Sequence, residues 1–167
     1  LILQLLSCFR IPVRPAALRD QLESHAAELD LETILPRLRQ LTLLEWSLDP
    51  ASGFDYYYVT PLVRYLHDRT DSDAATLPFS HDLAGRYHYY MFENLDPALT
   101  ELEEAFHHFH TAQNPKHLAR IGDLLSNYYY ECSLFHNAFH YADKTWQFLQ
   151  NNTPPTILNL LGLLYQL

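Results

Sequence analysis

Residues 43–61 read Leu43-Leu44-Glu45-Trp46-Ser47-Leu48, then Asp49-Pro50-Ala51-Ser52-Gly53, then Phe54-Asp55-Tyr56-Tyr57-Tyr58-Val59-Thr60-Pro61. The middle five residues are a turn with a mechanism. Proline presets φ, and glycine accepts a positive φ at no steric cost. The flanks are rich in apolar and aromatic residues, which suit a half-buried pleated surface, so the segment predicts a β-hairpin. Thr60-Pro61 then caps and opens a short helix, expected over 62–69, because proline at the first helical position gives up an amide that has no partner there.

Upstream the period becomes helical. Leu1 to Phe9 is apolar with helical spacing, and Arg10-Ile11-Pro12-Val13-Arg14-Pro15 breaks it. Pro15 can open a second helix running to about Leu22. Asp30 precedes a third helix as its cap, and that helix carries Ile34, Leu35, Leu38 and Leu41 on one stripe. Three helices, a hairpin and a closing helix predict a winged-helix domain over residues 1–70. The polar run Thr70-Asp71-Ser72-Asp73-Ala74-Ala75-Thr76-Leu77-Pro78 predicts a linker, placed at 71–80.

Residues 81–167 are self-similar. Ala98, Leu102 and Ala105 return 40 residues later as Ala138, Ala142 and Thr145, and Tyr89 returns as Tyr129 at the same interval and as Tyr165 a further 36 on. A period of this length made of paired helices predicts an α-solenoid, with small residues where helices approach closely. Asp96-Pro97 and Asn114-Pro115 mark helix starts, and Asn151-Asn152-Thr153-Pro154-Pro155 separates the second hairpin from a third. The expected fold class is therefore mainly α: a winged helix with a small β-hairpin, followed by helical hairpins. The chain opens inside one apolar helical pattern and closes inside another, so an internal piece of a larger protein is expected. Its last repeat would be truncated, with Leu160, Leu161 and Leu164 exposed.

Composition narrows the function classes. A chain of 167 residues that is 48% hydrophobic is not intrinsically disordered. Eleven Lys and Arg against 20 Asp and Glu give a net charge of -9, which repels phosphate backbones and disfavours nucleic acid as a partner. No run approaches the roughly 18 apolar residues of a membrane span, and no secretory signal is evident. Two cysteines, Cys8 and Cys132, form no disulfide framework and suit a reducing cytoplasm. With four glycines, no phosphate-binding Gly-rich loop can be written.

Ten histidines invite a metal reading, centred on His107-His108-Phe109-His110 and on Cys132 with His136 and His140. The second set would align only on an unbroken helix, and the repeat register puts a turn near 133–135. Surface histidines on an acidic protein are the simpler account, so no metal is expected. Cys8 reads as core packing, and Cys132 near His136 lacks an orienting group, so no enzymatic role is expected of this chain. Glu101, Glu103 and Glu104 sit at a helix start and read as a solvated face.

The tail Leu158-Asn159-Leu160-Leu161-Gly162-Leu163-Leu164-Tyr165 resembles the first helix of a tetratricopeptide repeat, with its Leu-Gly followed three residues later by Tyr. Leu125, Ser126, Tyr129, Ser133, Phe135 and Ala138 fit the same pattern, and Gly85, Tyr89, Leu95 and Ala98 fit it more loosely. The first part resembles the winged-helix domain of STAND-type signalling NTPases, relatives of the NB-ARC proteins. That resemblance rests on Leu3-Gln4-Leu5-Leu6-Ser7-Cys8-Phe9, Pro15-Ala16-Ala17-Leu18, Leu41-Thr42-Leu43-Leu44-Glu45 and Tyr58-Val59-Thr60-Pro61-Leu62-Val63-Arg64-Tyr65-Leu66.

The resemblance implies a regulatory and sensor fragment. Its winged helix would control a nucleotide-binding core of the parent protein, where ATP or ADP would bind, and no cofactor is expected in the fragment itself. Thr60 stands where the family often has a phosphate-contacting histidine, so it is the nucleotide-sensing candidate. The repeat register implies a protein- or peptide-binding groove lined by Tyr87, Tyr90, Arg120, Asp123, Asn127, Tyr130, Thr156, Asn159 and Gln166. In the alternative of a DNA-binding regulator, Arg37 and Arg39 would reach the major groove. A further alternative is a scaffold that joins partners without switching.

Overall fold

The computed structural model describes residues 2–22, 30–50, 52–69, 76–95 and 97–166. The described residues are mainly helical, 72% of them, with one two-stranded antiparallel sheet among them. The first part comprises α1 (Ile2–Cys8), α2 (Pro15–Leu22), α3 (Leu31–Gln40), β1 (Leu44–Leu48), β2 (Asp55–Val59) and α4 (Pro61–Arg69). Asp30 caps α3 as expected, accepting the backbone N–H groups of Glu32 at 3.1 Å and Thr33 at 3.3 Å. In the hairpin, Leu44 stands opposite Val59 and both are buried, so the pair anchors the sheet on the core. Gly53 takes φ +70° in the connecting turn, where its N–H donates to the Asp49 carbonyl at 2.8 Å. Val13, inside the helix-breaking stretch, exchanges two backbone hydrogen bonds with Tyr57, at 2.8 and 2.9 Å. That break is therefore an extended rung lying along β2.

The second part is a series of helices: α5 (Thr76–Asn94), α6 (Leu99–Thr111), α7 (Pro115–Glu131), α8 (Phe135–Leu149) and α9 (Pro155–Leu164). Helices α6 and α7 end on the same device. Gln113 and Ser133 adopt left-handed φ of 57° and 61°, and the next residue's N–H reaches back to Phe109 O at 3.0 Å and Tyr129 O at 2.8 Å. The chain reverses there and the following helix packs on the one just finished. Asn114 then caps α7 by accepting the His117 N–H. The turn expected near 133–135 thus exists, and it separates Cys132 from His136 and His140.

Three apolar clusters hold these elements. The first combines Leu5, Leu6, Phe9, Leu18, Leu35 and Val59 with Leu83, Ala84, Tyr87 and Met91 of α5. The second runs through α6, α7 and α8, around Phe106, Phe109, Ile121, Leu125 and Tyr129. The third joins Ala142 of α8 to Ile157, Leu160 and Leu161 of α9. Two expectations are corrected. Residues 76–80, read as the end of a linker, are the first turns of α5, because that helix is needed to close the first core; residues 70–75 of that run lie outside the described residues. Leu160 and Leu161 are buried, since α9 lays them against α8.

Close approach decides the α7–α8 contact. A Cβ on Gly122 would meet Thr145 Oγ1 at 2.0 Å, and Thr145 is fully buried. Only a residue without a side chain lets the two backbones come this near. Gly122→Ala should therefore lower stability by about 1–3 kcal/mol through overpacking. The second change Thr145→Ala should recover part of that loss, and urea denaturation of the single and double variants followed by circular dichroism measures both.

Candidate functional site

Helix α7 presents polar and apolar pairs at one-turn spacing. Asp123 and Asn127 form the polar pair: the Asn127 Nδ2 donates to the Asp123 Oδ1 at 3.1 Å and to its backbone carbonyl at 2.8 Å. Thr156, at the start of α9, donates its hydroxyl to the same Oδ1 at 2.6 Å. Three of the expected groove residues are thus brought into one hydrogen-bonded cluster that ties α9 to α7. Beside them, Leu124 and Tyr128 are the apolar pair, and both are exposed. They border a cleft of about 370 Å³ whose other walls are Phe92 of α5 and Leu99 and Leu102 of α6, with Asp123, Asn127 and Glu131 at the edge. Leu124, Tyr128 and Phe92 were not among the expected site residues. Their signal was present in the i, i+4 spacing of Leu124 and Tyr128 directly after the polar pair.

The remaining expected residues scatter. Arg120, one turn before Asp123, pairs with Glu93 at 3.0 Å, and its guanidinium carbon lies 5.0 Å from the Tyr89 ring centroid. Tyr130 is half-buried between the second and third clusters and packs on Phe135. Asn159 and Gln166 are exposed. Tyr87 does not face a groove. It is 1% exposed in the first core, where its hydroxyl oxygen accepts the Arg14 N–H at 2.7 Å. Tyr90 also packs against the first core. The reason for both is that α5 turns this face toward α1, α2 and β2.

In the first part, Thr60 accepts the Arg64 N–H on its carbonyl at 3.1 Å and donates its own N–H to Leu43 O at 3.2 Å, so its backbone fixes the start of α4. A cleft of about 460 Å³ lies next to it, lined by Arg10, Glu45, Tyr58, Arg64 and Tyr65. Arg37 and Arg39 are exposed on α3, and Arg39 lies over the Trp46 ring at 4.6 Å.

The carboxylates of α6 correct the reading of a solvated face. Glu101 is buried, and its Oε2 lies 2.7 Å from His88 Nδ1. Glu103 accepts the hydroxyls of Tyr129 at 2.5 Å and Tyr141 at 2.9 Å, two rings stacked at 5.6 Å. Burial, with Glu103 adjacent, pushes the Tyr129 hydroxyl up to about 12. Glu104 receives Arg10 through two bonds, at 2.8 and 2.9 Å. Each acidic side chain reaches a different element, because a helix points successive residues in different directions.

The histidines correct the surface reading as well. His88 and His108 are fully buried and their rings stack at 5.3 Å, while His81 Nδ1 lies 2.8 Å from His108 Nδ1. The Nε2 atoms of His88 and His108 have no hydrogen-bond partner. Two sets of donor atoms lie within 4.8 Å of one another, His88 with Glu104 and His108, and His81 with His107 and His108. These are the residues among those described whose geometry could hold a metal ion. The adjacent His107-His108 pair was visible in sequence, but its partners on α5 were not.

Comparison with known proteins finds no matching family model, no matching curated protein and no matching solved structure.

Burial holds the His108 imidazole far below its ordinary titration range, and the His88, His81 and His107 rings and Arg10 add to the effect. The unfolded chain takes up that proton near pH 6.5 while the folded chain does not. Stability should therefore fall on acidification below that pH, by about 1.4 kcal/mol per unit for this one group. Urea midpoints between pH 7 and pH 5 measure the slope, and His108→Phe should flatten it.

Proposed function

We propose that this chain is a protein-interaction and regulatory module whose helical hairpins hold a peptide or protein segment. The observation that carries the proposal is the exposed pair Leu124 and Tyr128 at the edge of the 370 Å³ cleft, with Asp123 and Asn127 alongside. Exposed apolar groups beside oriented polar ones are the chemistry of a recognition surface, where an apolar anchor is desolvated and a polar contact sets its register. Asp123 and Glu131 at the edge, on a chain of net charge -9, favour a ligand with a cation next to its apolar anchor.

The order of three helices, a hairpin and a further helix supports reading the first part as a winged helix, and the packed helical pairs support reading the second as tetratricopeptide-like repeats. Together with the resemblance to STAND-type NTPases, this makes the first part a relay. Its partner is a nucleotide-binding core of the parent protein, where ATP or ADP is held and for which Thr60 is the sensing candidate. A ligand on the repeats then shifts a closed–open equilibrium only by its preference for the open state, about 1.4 kcal/mol for each tenfold ratio of affinities. No bond-making step is assigned to the chain, and it works in the cytoplasm.

Random peptides displayed on phage test the cleft. The expected result is enrichment of sequences with an apolar residue next to Lys or Arg, whose binding falls at least about tenfold on Leu124→Glu, the loss of one anchoring contact. Enrichment of peptides that bind Leu124→Glu and Tyr128→Ala as well as the parent chain would overturn the assignment, with helicity by circular dichroism establishing that the variants fold.

A further inference from the structure

Where α5 packs on α6, next to the exit from α1, two imidazoles are buried with a free nitrogen each. His88 Nδ1 sits 2.7 Å from Glu101 Oε2, and a carboxylate can only accept, so that nitrogen carries the proton and Nε2 is left with its lone pair. His108 Nδ1 sits 2.8 Å from His81 Nδ1, so one of the two donates; with His108 donating, its Nε2 is likewise a bare lone pair. Both Nε2 atoms are buried and unpartnered, in side chains that are fully inaccessible. A buried nitrogen without a partner is unfavourable, and two in one cluster ask for a shared one.

Glu104 supplies the third side. It lies one turn before His108 on α6, and its donor atoms, with those of His88 and His108, fall within 4.8 Å of one another. The geometry points to a binding site for a divalent transition-metal ion, zinc first, formed by His88 Nε2, His108 Nε2 and the Glu104 carboxylate. Two neutral imidazoles and one carboxylate suit zinc, whereas magnesium and calcium prefer oxygen alone. Burial keeps His108 neutral, as a ligand must be.

The surroundings fit this assignment. Glu101 behind His88 is the carboxylate that commonly orients a metal-bound histidine, and His81 stands in the same relation to His108. Phe9 packs on both rings, at 5.2 and 5.9 Å, and gives the site an apolar wall. Glu104 also lines a polar pocket of about 260 Å³ with Arg10, His107 and Lys144, so its carboxylate stands between the buried imidazoles and the surface. Arg10 leaves lone pairs free on both Glu104 oxygens. Donors held at about 2.0–2.2 Å from zinc lie about 3.4 Å apart, inside the 4.8 Å span of these atoms, so the side chains close on the ion when it binds. His108 can serve only one ion, because a neutral imidazole has one lone pair; the two unpartnered Nε2 atoms select the set with His88 over that with His81 and His107. Such an ion would clamp α5 to α6 beside the exit of α1, where Phe9 and Arg10 stand.

Titration calorimetry of the metal-free chain with zinc chloride tests the site. A single ion should bind, with magnesium chloride giving no heat, and Glu104→Gln should weaken zinc by at least about tenfold, as loss of a ligand or its support does elsewhere. Cobalt(II) should give the visible bands of a low-coordinate site in the parent chain and lose them in His108→Phe. Glu104→Gln, which keeps the shape of the side chain, carries the test if His108→Phe does not fold. Absence of zinc binding would overturn the proposal. So would affinity unchanged in Glu104→Gln, or affinity lost instead in the exposed-site variant Cys132→Ser with His136→Asn.

Discussion

Helix α5 must satisfy two cores at once, and the rest of the structure is arranged around that demand. Ala84, Tyr87 and Met91 recur at helical spacing and close the first core against α1, α2 and β2. Gly85 and Tyr89 lie on another face, where Gly85 lets the Phe109 ring of α6 come so near that an added Cβ would meet it at 2.9 Å. Full burial of side chains of this size is worth about 1.5–3 kcal/mol each, so neither face can be given up cheaply. A helix used on both sides has no surface left for a ligand along that stripe. This is why Tyr87 is a structural residue, its hydroxyl matched to the Arg14 amide.

The seam beside that helix is polar where an apolar one would be expected. Glu101, Glu103 and Glu104 reach, in turn, α5, the α7–α8 pair and the exit of α1. Glu101 is buried and Glu103 and Glu104 are half-buried; a carboxylate withdrawn from water costs free energy unless it is hydrogen-bonded, and each of these is. The acceptors and donors are specific in direction, so they select one mutual arrangement of the helices as well as stabilising it. His88 and His108 belong to the same network and are its incompletely satisfied members.

Function is read from what this packing leaves over. On α7 the second cluster takes Leu118, Ile121, Leu125 and Tyr129, and the residues left outside it include Asp123, Leu124, Asn127 and Tyr128. The end of α5 and the start of α6 complete the cleft around them. Because α5 also closes the first core, a ligand seated there touches a helix whose other face belongs to the first part, a mechanical route consistent with the relay proposed.

What the sequence determined by itself was whatever has a local cause. The hairpin, the Asp30 cap, the opening of helices at Pro15 and Pro61 and the reversal at Ser133 follow from a few neighbouring residues, and each appears where it was expected. Asp123, Asn127 and Thr156 also meet, through hydrogen bonds within α7 and between α7 and α9. Tertiary structure decided which face each helix offers and to whom. Nothing near Tyr87, Glu101 or His108 in the chain says that α1 and α2 will cover one side of α5 while α6 covers another. Burial and the partners of a charge are properties of surfaces that meet from distant positions, and those depend on the packing of all three clusters together.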